Sequence, residues 1–209
     1  MTDQTETMLL EVARTGDHAA FGQLQALLET PVRRFVRRLI GYSSAEDDIV
    51  QNAFLALYMN LERLDRGEKL RPFLFRVVRN QSYDELRRLG RYEVVSVDDE
   101  PAEEDTYAVT LRDQQPQPDE AAHWLLIYAD VQQAISQLPE VQRQTLLLYT
   151  EGSLSYAEIA EAMNTSIGTV KSRLFYAKRN LVRLLPEGIL EALEVEGDVE
   201  NVQATPGEF

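Results

Sequence analysis

The sequence predicts an all-α protein: two small helical domains, a helical bundle and a helix-turn-helix domain, joined by a flexible acidic linker. Three observations carry that prediction. Apolar residues recur at helical spacing from Phe21 to about Gly90 and again from Trp124 onward, no segment alternates in the manner of a strand, and an acid-rich stretch punctuated by Pro101, Pro116 and Pro118 separates the two periodic parts. With 209 residues, 44% of them hydrophobic, the chain suits two such cores.

In the first part, Phe21, Leu24 and Leu28 form one apolar stripe, and Val32, Phe35, Val36, Leu39 and Ile40 form the next. A third helix is expected to start at Ser44, whose hydroxyl can cap the first turn with Asp47 three residues on; its stripe runs Val50, Ala53, Phe54, Leu57, Tyr58 and Leu61. Pro72 suits the first turn of a fourth helix that continues to about Gly90. These four helices make a domain over residues 1–92. Residues 93–118 hold too few large apolar side chains to offset the entropy of ordering and read as the linker. A second domain over residues 119–185 opens with Trp124, Ile127, Tyr128, Val131, Ile135 and Leu138, and Pro139 starts a short helix through Tyr149. Residues 186–209 read as an acidic tail, with one helical turn available at Ile189, Leu190 and Leu193.

The stretch Ser155 to Leu174 reads as a helix-turn-helix. Ser155 and Glu158 make a capping box, and Ile159, Ala160 and Met163 face inward. Asn164 marks the turn because asparagine tolerates the left-handed conformation, and Ser166 caps the second helix. On that helix Ile167, Val170, Leu174, Ala177 and Leu181 form the apolar stripe. Thr169, Lys171, Ser172, Arg173, Tyr176 and Arg179 face away, as a helix entering a major groove requires. From these residues alone two readings stand, a DNA-reading motif and a surface hairpin with solvated charges, and the first fits better.

Composition narrows the function classes. No apolar run approaches the roughly 18–20 residues of a membrane span, and the acidic, polar N-terminal stretch is unlike an export signal, so a cytoplasmic location without membrane insertion is expected. The absence of cysteine excludes thiol chemistry and disulfides, and His18 and His123 lie too far apart for a local metal motif. No phosphate-cradling glycine loop and no nucleophile with a plausible base is present, so no enzyme and no cofactor is expected. The net charge of -14 hides a basic middle: residues 31–91 hold 13 basic and 8 acidic side chains, whereas 93–122 hold 1 and 10, and the tail 186–209 holds no basic and 7 acidic ones. Local charge is what a phosphate backbone meets, so DNA binding stays open.

At these residues the sequence resembles the sigma factors of the extracytoplasmic-function group. Leu138-Pro-Glu-Val-Gln-Arg143, Ser155-Tyr-Ala-Glu-Ile-Ala160 and Gly168-Thr-Val-Lys-Ser-Arg-Leu174 resemble region 4, which contacts the -35 promoter element. Ala45-Glu-Asp-Asp-Ile-Val-Gln51, Arg71-Pro-Phe-Leu-Phe-Arg-Val-Val-Arg-Asn80 and Asp84-Glu-Leu-Arg-Arg88 resemble region 2. The resemblance covers about residues 20–91 and 120–185 and leaves no room for a region 3 domain. It implies an initiation factor that binds core RNA polymerase, recognises the -10 and -35 elements and assists strand opening.

Carried to this chain, the resemblance implies that the helix of Asp47, Asp48, Gln51, Phe54 and Leu55 docks on the clamp helices of the polymerase largest subunit. Exposed acids beside an apolar stripe suit a basic partner helix, although Asp47 and Asp48 also complement the helix dipole. Arg76, Arg79, Asn80, Arg87, Arg88 and Arg91 are implied to hold the -10 element and its opened strand. Phe73, Phe75 and Tyr83 are candidate stacking surfaces for bases, with packing the better reading for Phe73 and Phe75. Ser166, Thr169, Lys171, Ser172, Arg173, Phe175, Tyr176 and Arg179 are implied to contact the -35 element while region 4 meets the polymerase flap. An anti-sigma factor is a usual partner in the family. A DNA-binding regulator that acts without polymerase, or a helical module that acts only through proteins, are the competing classes. The linker either sits in a positive channel or is a solvated spacer, and the tail either shields region 4 or is passive.

Overall fold

The computed structural model describes residues 2–64, 70–90, 120–186 and 188–189. Its helices are α1 (Thr2–Arg14), α2 (His18–Ile40), α3 (Glu46–Met59), α4 (Leu70–Arg88), α5 (Glu120–Ser136), α6 (Glu140–Thr150), α7 (Tyr156–Met163) and α8 (Ile167–Leu184), with a single helical turn at Leu61–Arg63. No strand occurs among the described residues, so the all-α class holds. The expected linker at 93–118, Arg91 and the tail beyond residue 189 lie outside the described residues.

Two local expectations change. The stripes on either side of Pro31 belong to one helix, α2, not two. A proline inside a helix costs about 3 kcal/mol through its missing donor and its clash. Leu28 and Val32, on either side of it, are fully buried, and each such side chain contributes roughly 1.5–3 kcal/mol by leaving water. Burial therefore carries the helix through. Its start is capped by Asp17, whose carboxylate accepts from the Ala19 and Ala20 amides at 2.8 and 3.1 Å. The fourth helix of the bundle is instead α1, which buries Leu9, Leu10 and Ala13 together with the carboxyl of Glu6.

The second change concerns α3, which starts at Glu46 without any side-chain cap, so Ser44 does not have the capping role expected of it. Ion pairs across helices anchor this first turn instead: Arg37 Nε meets Glu46 at 2.7 Å, and Arg33 Nη1 meets Glu46 at 3.1 Å and Asp47 at 2.7 Å. Arg33 also holds Glu29 at 2.8 Å, and these three acids raise its pKa above the ordinary guanidinium value, that of Asp47 foremost. Burial works to raise the pKa of Glu46, but the hydrogen bonds from Arg37 and Arg33 outweigh it and hold the carboxyl below its usual range. A carboxyl with a depressed folded-state pKa contributes stability above its unfolded value, about 4.3, and loses it as pH falls through the folded value. Wild-type protein is therefore expected to lose more thermal stability than Glu46→Gln on acidification below about pH 4.3; parallel melting curves for the two would contradict this.

Helix α4 begins at Leu70, with Pro72 in its first turn, and buries Leu74, Phe75, Val78 and Leu86. Phe75 packs edge-on against Phe35 with ring centres 5.5 Å apart. Gly90, at φ +65°, closes the helix in a conformation that side chains disfavour. Helices α5 to α8 form the second unit, and they do not stand apart from the first. α7 lies on α4 and α6 on α2, and one continuous core runs from Leu10 and Phe35 to Leu147, Leu154 and Ile159.

Candidate functional site

The helix-turn-helix is built from local signals. Ser155 Oγ accepts from the Glu158 amide at 3.3 Å while the Glu158 carboxylate accepts from the Ser155 amide at 2.8 Å, closing the capping box. Asn164 takes the left-handed conformation (φ 50°, ψ 53°), which lets the Thr165 amide turn back to Ala160 O at 2.9 Å. Ser166 Oγ accepts from the Thr169 amide at 3.0 Å and lies 2.8 Å from Thr169 Oγ1, so it starts α8 as a cap.

Val170 and Ala177 are fully buried and Leu174 and Leu181 pack against the core, which orients α8. Ile167 departs from that stripe: it is 46% exposed. On the outer face Lys171, Ser172 and Ser166 are exposed, and Thr169, Arg173, Phe175, Tyr176 and Arg179 are half-buried. Phe175 and Tyr176 meet edge to face at 5.4 Å. Burial lowers the Arg173 pKa from its ordinary value. The outer face expected from periodicity leaves out two further cations of α8, Lys178 and Arg183, both exposed. Charge is the signal that finds them, since α8 carries five cations and no acid.

On α3, Asp47, Asp48, Gln51, Asn52, Leu55 and Met59 are exposed, and Leu55 and Met59 lie one turn apart at 56% and 74% exposure. Phe54 departs from the expectation of a docking contact. It is buried among the bundle helices with Val50, Ala53 and Leu57, the same face of the helix, so it positions α3 instead. Asp47 is engaged by Arg33.

On α4 the structure divides the expected set. Arg79 is half-buried, whereas Arg76, Asn80, Arg87 and Arg88 are exposed. Arg87 pairs with Asp84 at 3.1 Å, and Arg88 meets both carboxylate oxygens of Glu85 at 2.7 Å. The Arg79 Nη1 donates to Ala162 O of α7 at 3.0 Å. Phe75 is core, and Phe73 packs on the core with the Arg76 guanidinium 5.7 Å from its ring centre. Tyr83 is no stacking surface here: it is buried and its hydroxyl donates to the Glu140 carboxylate, and burial foremost, then Glu140, pushes its pKa up.

Residues not anticipated from the sequence join the two units. Arg71 donates to both Glu6 oxygens at 2.8 and 2.6 Å and to Gly152 O at 2.6 Å. Arg38 meets the buried Glu151 carboxylate at 2.6 Å. A side chain at Gly152 would place its Cβ 2.5 Å from Leu148 O and 3.2 Å from Leu154 Cγ. Gly152→Ala is therefore expected to destabilise by about 1–3 kcal/mol, as overpacking does, read as a lowered denaturation midpoint. An unchanged midpoint would show that the turn yields freely.

The fold and its helix-turn-helix define the class, an all-helical DNA-binding protein. Residues 26–92 match the family model for Sigma-70 region 2, and residues 128–181 match that for Sigma-70, region 4. The chain is 31% identical over 176 residues to the ECF RNA polymerase sigma factor EcfG of Rhodopseudomonas palustris, spanning 84% of this chain and 89% of that one. It is 30% identical over 196 residues to the RNA polymerase sigma-H factor of Pseudomonas aeruginosa, spanning 92% and 100%. Among solved structures it is similar to CnrH in complex with the cytosolic domain of CnrY, with a TM-score of 0.60 at 21% identity over 92% of this chain and 99% of that one. It is also similar to the sigma factor RpoE in complex with the anti-sigma factor NepR from Bartonella quintana, with a TM-score of 0.55 at 23% identity over 85% and 98%. The chain belongs to the ECF sigma factors, and its function is to bind RNA polymerase and direct initiation at promoters. No helix among the described residues is long and apolar enough to cross a membrane.

Proposed function

We propose that residues 1–92 and 119–185 work as two separate grips, joined by the 93–118 linker, and that the exposed faces of α3, α4 and α8 divide the labour between them. The acid-and-apolar stripe of α3, Asp47, Asp48, Gln51 and Leu55, docks on the clamp helices of the polymerase largest subunit. There Leu55 supplies burial, and the carboxylates meet basic groups. Arg76, Arg79, Asn80, Arg87 and Arg88 on α4 hold the -10 element and its separated strand. Region 4 sits at the polymerase flap, and the α8 residues Ser166, Thr169, Lys171, Ser172, Arg173, Phe175, Tyr176 and Arg179 read the -35 element. The observation that carries this reading is α8, the second helix of a helix-turn-helix, with five cations, no acid and an outer face open to solvent at Lys171 and Ser172.

The protein acts in the cytoplasm by binding, without a chemical step of its own. The two similar solved structures each hold a partner, one of them named as an anti-sigma factor, and an inhibitory protein of that kind is proposed here too. Run-off transcription with purified core polymerase on genomic fragments, with start-site mapping, tests the whole. Initiation at discrete sites is expected; a mixture that initiates no better than polymerase alone would overturn the reading.

A further inference from the structure

Ile167 is an apolar residue in a place that burial does not account for. It is the first residue of α8, and its side chain is 46% exposed. It lies one turn before the exposed Lys171, on the same side of the helix. Beside it the turn carries an open depression of about 550 Å³, whose lining includes the small residues Ala157, Ala160 and Thr165. The exposed flank of Ile167 therefore borders open space.

The hydroxyls around it are already engaged. Ser166 Oγ accepts from the Thr169 amide at 3.0 Å and lies 2.8 Å from Thr169 Oγ1, and the Ser172 hydroxyl donates to Thr169 O at 3.0 Å. These groups build the first turn, so what the helix start presents outward is the charge of Lys171 and the alkyl surface of Ile167. Gly168 points the same way. A side chain there would meet nothing of this chain closer than Ser166 Oγ at 3.6 Å, and Gly168 is not among the glycines with positive φ. Neither packing nor backbone conformation requires a glycine, which weakens a helix relative to alanine. A bare backbone at that point suits the close approach of a second surface.

We propose that Ile167 is a specificity-determining residue that packs on the C5 methyl group of a thymine in the -35 element, and that Gly168 lets the helix start come close enough to reach it. The inference rests on the proposed role of α8. In a major groove the thymine methyl is the apolar feature of the base edges, and residues near the start of a recognition helix are those that reach such edges. Lys171 can only donate to a base or a phosphate, so it does not sense that methyl. A branched alkyl side chain does, by excluding water from it. Isoleucine in a helix holds essentially one χ1 rotamer, so little side-chain freedom remains to be lost when the contact forms.

Deoxyuridine differs from thymidine only by that methyl, which isolates the contact. On a promoter mapped by run-off transcription, each thymine of either strand in the -35 element is replaced in turn, and binding of the reconstituted polymerase complex is measured. One replacement is expected to weaken wild-type binding by roughly 3- to 10-fold. Ile167→Ala is expected to weaken binding to the unmodified promoter by a similar factor and to keep less than about 2-fold sensitivity to that replacement, because the two changes remove one contact. Gly168→Ala is expected to melt at or above the wild-type temperature and yet to bind the promoter roughly 10-fold less tightly.

Circular dichroism verifies folding, and Ile167→Ser takes the place of Ile167→Ala should the latter not fold; the deoxyuridine series with wild-type protein needs no variant. Wild-type binding indifferent to every replacement overturns the inference and leaves the proposed function standing. So does a replacement that weakens wild type and the Ile167 variant equally. Gly168→Ala that binds as tightly as wild type overturns the close approach the contact requires. A polymerase complex that initiates at no discrete site overturns the function itself.

Discussion

Replacing Asp48 by lysine and Leu55 by aspartate together is expected to lower affinity for core polymerase by a factor of about 30 to 1000, equivalent to roughly 2–4 kcal/mol. Both side chains are exposed on α3, Leu55 at 56%, so neither substitution opens a cavity. The helix keeps its hold on the bundle through Ile49, Val50, Ala53, Phe54 and Leu57. The effect should therefore be specific. Circular dichroism and melting of the double variant are expected to match wild type, while binding to core polymerase and run-off transcription collapse together. Asp47→Ala is expected to do less, because Asp47 already shares Arg33 with Glu29 and Glu46. Retention of wild-type polymerase affinity by the double variant would remove α3 as the docking face.

The second large effect lies at the other end of the chain. Lys171→Ala with Arg173→Ala is expected to cut promoter-dependent transcription by roughly 10- to 1000-fold, since a bidentate base contact contributes about 1–3 kcal/mol and a phosphate contact adds to it. Polymerase binding should be unchanged. The salt dependence of promoter binding should also fall, by about 1 in logarithmic slope for each phosphate no longer neutralised. Neither residue belongs to the buried stripe that seats α8, where Val170 and Ala177 are fully buried. Transcription from the mapped promoters at wild-type level in this variant would show that α8 does not read them.

Features set by near neighbours in the chain are legible in the sequence. The capping box of Ser155 and Glu158, the left-handed Asn164 and the Ser166 cap each depend on contacts within a few residues, and all three form as expected. The start of α3 is illegible for the complementary reason: Ser44 has the right local chemistry, but Arg33 and Arg37 of α2 anchor the first turn through Glu46. Helix α1 escapes a periodicity reading because its apolar residues, Met8, Leu9, Leu10, Val12 and Ala13, fall in one cluster after a polar first half, and Met8 and Val12 of that cluster are exposed. Phe54 does carry a sign of burial, its place in the apolar stripe with Val50, Ala53 and Leu57, whereas nothing in the segment around Tyr83 distinguishes a binding side chain from a buried one.

The order of motifs and the cationic, acid-free α8 belong to the sequence alone, since periodicity and capping are properties of residues one or two turns apart. That α7 covers α4, and that Arg79 is spent on α7 and Tyr83 on Glu140 of α6, was decided only by the tertiary structure. Arg71 and Glu6 are 65 residues apart, and Arg79 and Ala162 are 83 apart. Pairings at such separations depend on where packing places whole helices, and no local preference of either partner encodes them.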